Sequence, residues 1–149
     1  MISVKELMIG DLVNYRPGWI NEETNQVEYE SGTGFPVRIE MLYYSHGEGL
    51  VQYNDGENDG IEAAEYELFP IPLTAEILEK NFQESLPGIN LMYQLKGPYC
   101  AMKEDGQWVF GLVKVDGDNS ARYPLVKISF VHELQHALRL CGITKEIQI

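Results

Sequence analysis

A chain of 149 residues with 44% hydrophobic and 23% charged side chains has the composition of a folded protein, and length enough for one ordinary domain or two small ones. The formal charge of −12 is unevenly placed: residues 1–70 hold 14 acidic and three basic side chains, net −11, whereas residues 71–149 hold nine and eight, net −1. Nucleic acids and anionic lipid surfaces are bound through Lys and Arg, so the first half is repelled by both, and a basic protein is the partner its charge allows.

No apolar run approaches the roughly 18 residues that span a bilayer, and MISVKELMIGD lacks the basic start and apolar stretch of a signal peptide. A cytoplasmic protein is expected. Cys100 and Cys141 stand apart from any CxxC pair, which suits reduced thiols, with a single disulfide as the alternative.

In chain order, a Gly10-Asp11 turn leads into a strand at residues 12–15, and the polar stretch from Arg16 to Gly34 reads as an exposed loop. Val37, Ile39, Met41 and Tyr43 alternate with Arg38, Glu40, Leu42 and Tyr44, the period of two of a half-buried strand. Gly47-Glu48-Gly49 turns the chain into residues 50–53, Asp55-Gly56 marks a hairpin, and a last strand is placed at residues 66–71. Short strands at this spacing predict a small SH3-like β-barrel over residues 1–70.

Pro70 and Pro72 open the second half, 71–149. Thr74 is placed to N-cap a helix carrying Ile77, Leu78 and Phe82, with Pro87-Gly88 ending that region. Strands follow at about 90–95, 99–103 and 108–115, punctuated by Gly97-Pro98, Asp105-Gly106 and Asp116-Gly117. A second helix from about Ser129 to Cys141 stops at Gly142, and Ile147 and Ile149 suggest a short closing strand. The expected class is α+β: the acidic barrel followed by an antiparallel sheet with two helices.

His132-Glu133-Leu134-Gln135-His136 matches HExxH. On a helix that spacing sets two histidines on one face as zinc ligands with the glutamate as general base, so a zinc-dependent hydrolase using His132, His136 and Glu133 is one reading. Against it, Arg139 and Gly142 occupy the positions where the extended motif places glycine and a third histidine, and His46 is the only other histidine. On a helical wheel Phe130, Val131, Leu134, Ala137, Leu138 and Cys141 share one side, which turns His132 and His136 toward the opposite, solvated side. The sequence therefore favours a structural helix with no catalytic residues and no metal.

Two loops approach a calcium pattern and miss it. Asp55 to Asp59 has Glu57 at the third position and Tyr66 at the twelfth, while Asp116, Asp118 and Ser120 lack a closing glutamate. Tyr15, Trp19, Tyr43, Tyr44 and Tyr53 are candidates to line a peptide groove on the barrel, with core and cross-strand packing as the competing role.

Three segments, Glu6-Leu7-Met8-Ile9-Gly10-Asp11-Leu12-Val13, Ile71-Pro72-Leu73-Thr74-Ala75-Glu76-Ile77-Leu78 and Phe130-Val131-His132-Glu133-Leu134-Gln135-His136-Ala137-Leu138, carry a resemblance. In order and spacing the chain resembles an uncharacterised family of short proteins from Bacteroidetes bacteria, their phages and mobile elements, with an ELRIGN-type start, a PIPLTEEWL-type segment and a YVHELQN-type C-terminal helix. The resemblance implies asparagine as a frequent alternative to the second histidine, a structural role for the helix, and no activity to transfer. Together these features lead to the expectation of a non-enzymatic interaction or accessory protein, associated with phage or mobile elements.

Overall fold

The computed structural model describes residues 1–32, 34–84, 92–116 and 119–149, and the fold is mostly antiparallel sheet, part of it curled into a half-barrel, with two helices. The chain divides into two compact units, Met1–Ile71 and Pro72–Ile149. No helix among the described residues is long and apolar enough to cross a membrane. Pro87-Gly88, residues 90 and 91, Gly117 and Asp118, named above, lie outside the described residues.

The first unit opens with a 3-10 turn at Val4–Glu6, and its strands are β1 (Leu12–Tyr15), β2 (Gly18–Asn21), β3 (Gln26–Tyr29), β4 (Phe35–Ser45), β5 (Glu48–Asn54), β6 (Ile61–Ala64) and β7 (Leu68–Phe69). Five of them form an antiparallel sheet in the order β6-β5-β4-β1-β7, and β2 and β3 form a separate hairpin. A two-residue turn joins β4 to β5, with His46 and Gly47 both at positive φ (53° and 88°). That backbone matches the twist of the flanking strands, so His46 is a turn residue. The core gathers Ile2, Val4, Leu7, Val13, Val37, Ile39, Val51, Tyr53, Ala63 and Leu68.

The expected alternation along β4 holds only to Ile39. Ile39 pairs with Tyr53 but Met41 with Gln52, so Glu40 is the extra residue of a β-bulge. One extra residue inverts the facing of everything beyond it. Leu42, paired with Val51, packs on the core, while Met41 is exposed. Two further expectations are corrected. The Arg16–Gly34 loop contains the β2–β3 hairpin, and the last predicted strand is a 3-10 turn at Glu65–Glu67 followed by the short β7.

In the second unit α1 (Ala75–Asn81) is followed by β8 (Gln83–Glu84), β9 (Met92–Lys96), β10 (Tyr99–Glu104), β11 (Gln107–Asp116), β12 (Asn119–Ile128) and α2 (Val131–Leu140). The strands form one meander, β12-β11-β10-β9-β8. Thr74 caps α1 as its position predicts, its hydroxyl accepting from the Ile77 amide at 3.3 Å. The buried Tyr93 on β9 donates its hydroxyl to Glu79 of α1 at 3.0 Å and lies 5.7 Å, ring to ring, from Trp108. Asp105 and Gly106, both at positive φ, make the tight β10–β11 turn.

Instead of forming a closing strand, residues 143–149 are tied to α1. Asn81 donates to the Gln148 carbonyl (2.7 Å) and accepts from the Gln148 amide (2.8 Å), and Ile143 and Ile147 are buried. The strand β12 was not anticipated from the sequence, which shows no period of two there.

Candidate functional site

The helix carrying HELQH begins at Phe130, whose side chain cannot accept a hydrogen bond. Glu133, three residues on, reaches back instead, and its Oε2 accepts from the Ser129 amide at 2.6 Å and the Phe130 amide at 3.1 Å. This is the glutamate half of a capping box, which satisfies amides that a helix start leaves without partners. At the other end Gly142, at φ 67°, donates to the Arg139 carbonyl, and the Ile143 amide donates to Leu138. That pair of bonds is a Schellman termination, as the glycine predicts.

His132 is only 4% exposed, which corrects the expectation of a solvated face. The wheel put the apolar centre on one side of α2, but burial extends around the flank to include His132 and Gln135. The His132 ring stacks on Phe130 at 5.8 Å and meets His136 edge to face at 5.8 Å. His136 is half-buried, so the two histidines differ in access to solvent. Among the described residues no group of three or more His, Cys, Asp or Glu is gathered to hold a metal ion. Cys100 and Cys141 are both free thiols. Burial pushes the Cys100 thiol up to about 11, and Cys141 lies half-buried at the C-cap of α2.

His136 and Glu133 border a groove of about 400 Å³ between α2 and β12. Its walls are mainly apolar, with Phe110 from β11, Leu125, Val126 and Ile128 from β12, and Ala137 and Leu140 from the helix, and Lys127 and Cys141 also border it. Leu125, Val126 and Leu140 are largely exposed, Leu140 to 85%. No motif marks this groove, because its residues come from three elements, β11, β12 and α2, and β12 shows no period of two in the sequence.

The five aromatics expected to line a peptide surface are dispersed. Tyr53, 2% exposed, is a core residue rather than a groove wall, since it stands opposite Ile39 on the inward face. Tyr15 packs on it at 4.9 Å and on Phe35 at 5.4 Å. Burial, reinforced by the Glu67 carboxylate, raises the Tyr15 phenol well above its usual value. Tyr43 and Tyr44 are successive strand residues and point to opposite faces. Tyr43 donates to Glu62 at 2.6 Å, and Tyr44 is exposed.

Trp19 is half exposed on the β2–β3 hairpin, opposite Glu28, with exposed Ile20 on the other face of the ribbon. The base of this hairpin is firmly held. Glu67 accepts from the Tyr15 hydroxyl (3.3 Å), the Gly18 amide (3.1 Å) and the Ala64 amide (2.9 Å). Tyr29 donates to the Tyr66 carbonyl at 3.0 Å, and its ring lies under the Arg16 guanidinium at 5.0 Å. The tip turns through Asn21, whose Oδ1 accepts from the Glu23 and Thr24 amides. Glu67 and the hairpin were missed in the sequence reading, although alternation in residues 18–21 and 26–29 around a polar tip was the available signal. Comparison with known proteins returned no matching family model, no matching curated protein and no matching solved structure.

Proposed function

We propose that this chain is a non-enzymatic interaction protein whose first unit grips a basic protein partner through the β2–β3 hairpin. The observation that carries this reading is the presentation of Trp19 and Ile20, both exposed, on a ribbon that also bears Glu22, Glu23, Glu28 and Glu30 in a segment of net charge −11. A partner with cations around an apolar contact complements both features, the aromatic supplying contact area and the acids orienting the approach. The anchored base supports it too, since a ribbon held by Glu67 and Tyr29 loses little freedom on binding. A phage- or mobile-element-associated accessory role, implied by the resemblance, is consistent with a host protein as that partner.

A meander of β1, β4, β5 and β6, with β7 returning beside β1 after a 3-10 turn, supports an SH3-like barrel in which the hairpin occupies the first long connection.

The test is capture on immobilised protein at low and high salt, with a Trp19→Ala/Ile20→Ala double variant alongside. The expected result is a basic protein held at low salt, released at high salt and lost with the variant. Retention of nothing basic, or retention indifferent to both salt and the hairpin substitutions, refutes the proposal.

A further inference from the structure

We propose that the outer edge of β12 is a docking site for an extended, acidic peptide segment, which adds to the sheet as a further strand and buries alternate apolar side chains in the groove against α2. This inference concerns the second unit and stands independently of the hairpin reading.

Among the described residues β12 forms one edge of its sheet, and residues 121–127 are exposed apart from the half-buried Arg122. An edge strand turns a row of backbone amides and carbonyls outward, and an incoming strand satisfies them in a way a helix or a lipid chain does not. The register divides its side chains by face. Tyr123, Val126 and Ile128 pair with Leu112, Phe110 and Trp108, and so share the face of Phe110, which lines the groove. Arg122 and Lys127 pair with Val113 and Val109, and so belong by register to the opposite face, although Lys127 also borders the groove. These two sets stay in phase because Leu125 is an extra residue between Pro124, opposite Gly111, and Val126, opposite Phe110.

The charge of this strand selects the occupant. β12 reads NSARYPLVKI, with two cations and no carboxylate, in a chain where acidic residues outnumber basic ones 23 to 11. Pairing with β12 of a second copy would place four cations and no acid on one seam, which like-charge repulsion opposes. An extended segment alternating apolar and acidic residues fits both faces at once. Its apolar side chains enter the groove with Val126 and Leu140, and its carboxylates meet Arg122 and Lys127. Pro124 lacks an amide proton, so the added strand makes one bond fewer there, a device that also discourages indiscriminate edge pairing.

The test uses two fluorescein-labelled decapeptides, one alternating valine and glutamate, the other valine and lysine, followed by anisotropy and by amide hydrogen exchange. The expected result is binding of the valine–glutamate peptide at least tenfold tighter than the valine–lysine peptide, with new protection of amides in residues 121–127. Arg122→Glu/Lys127→Glu should reverse the preference, and Val126→Glu, at an exposed position the fold tolerates, should abolish binding. Three outcomes overturn the proposal: binding of neither peptide, binding unaffected by these substitutions, or binding without added protection along β12. Self-association of the chain that Val126→Glu dissolves would replace the acidic peptide with a second copy as occupant, and would likewise overturn it.

Discussion

Replacing Glu133 separates the two chemistries that a HExxH sequence can encode. In this structure its carboxylate accepts two backbone amides at the start of α2, so Glu133→Ala leaves both without that partner. The Ser129 amide is at an exposed residue and water replaces the bond cheaply, whereas the Phe130 bond is partly buried and its loss costs about 1 kcal/mol. Removing a negative charge from the first turn forfeits a further ~0.5 kcal/mol of helix-dipole interaction. The sum, about 1.5 kcal/mol, lowers the melting temperature of a unit the size of Pro72–Ile149 by about 6–12 °C. Glu133→Gln keeps an acceptor and loses mainly the charge, so it should recover more than half of the deficit. Thermal unfolding followed by far-ultraviolet circular dichroism measures both variants. An alanine variant melting within about 2 °C of the parent, or a glutamine variant as unstable as alanine, refutes the capping role.

Asn81→Ala removes the three bonds that join α1 to Gln148 and to its own Ile77 carbonyl, and should cost about 2–3 kcal/mol while the Gln148 amide becomes fast-exchanging. Gly111→Ala places a Cβ 2.6 Å from the Tyr123 carbonyl oxygen and 2.9 Å from Met102 Cε, so urea denaturation should show a loss of about 2–3 kcal/mol; an unchanged midpoint would mean β11 and β12 separate freely. With its thiol pushed up to about 11, Cys100 is about 0.1% thiolate at pH 8, and alkylation read by peptide mass spectrometry should label Cys141 while Cys100 stays protected until the chain unfolds. Because burial and Glu67 raise the native Tyr15 phenol, the unfolded chain loses that proton first, near pH 10. Its stabilisation is complete below pH 10 and is lost as pH rises toward the native value. Urea midpoints should therefore fall above pH 10, less steeply in Tyr15→Phe, and equal slopes would assign the alkaline transition to other groups.

Legibility in the sequence followed the range of the interactions involved. Thr74 and Gly142 act on amides and carbonyls within a few residues of themselves, and both were readable as helix boundaries. The Asp105-Gly106 turn was readable for the same reason. What stayed hidden depends on residues far apart in the chain. His132 was assigned to a solvated face because a wheel knows only the helix, and its burial comes from packing the wheel cannot contain. Glu67 falls within the strand expected at residues 66–71, and nothing local marks it as the residue that joins Tyr15, Gly18 and Ala64. β12 lacks a period of two because its bulge at Leu125 breaks the phase and its outer edge is exposed, so no alternation was there to be read. The groove, and the cations Arg122 and Lys127 along β12, were hidden with it.

The bulge at Glu40 has a consequence for how this unit tolerates insertion and deletion. Beyond it β4 carries Met41, Leu42, Tyr43 and Tyr44, apolar or aromatic on both faces, so the distal strand has two alternative hydrophobic sets one residue apart. Deleting Glu40 would remove only the unpaired residue, leaving Met41 opposite Gln52 and Leu42 opposite Val51, so the inward set would stay as it is. Inserting one residue after Glu40 would instead turn Met41 and Tyr43 inward in place of Leu42, and the interior would then have to absorb a change of shape, not a buried charge.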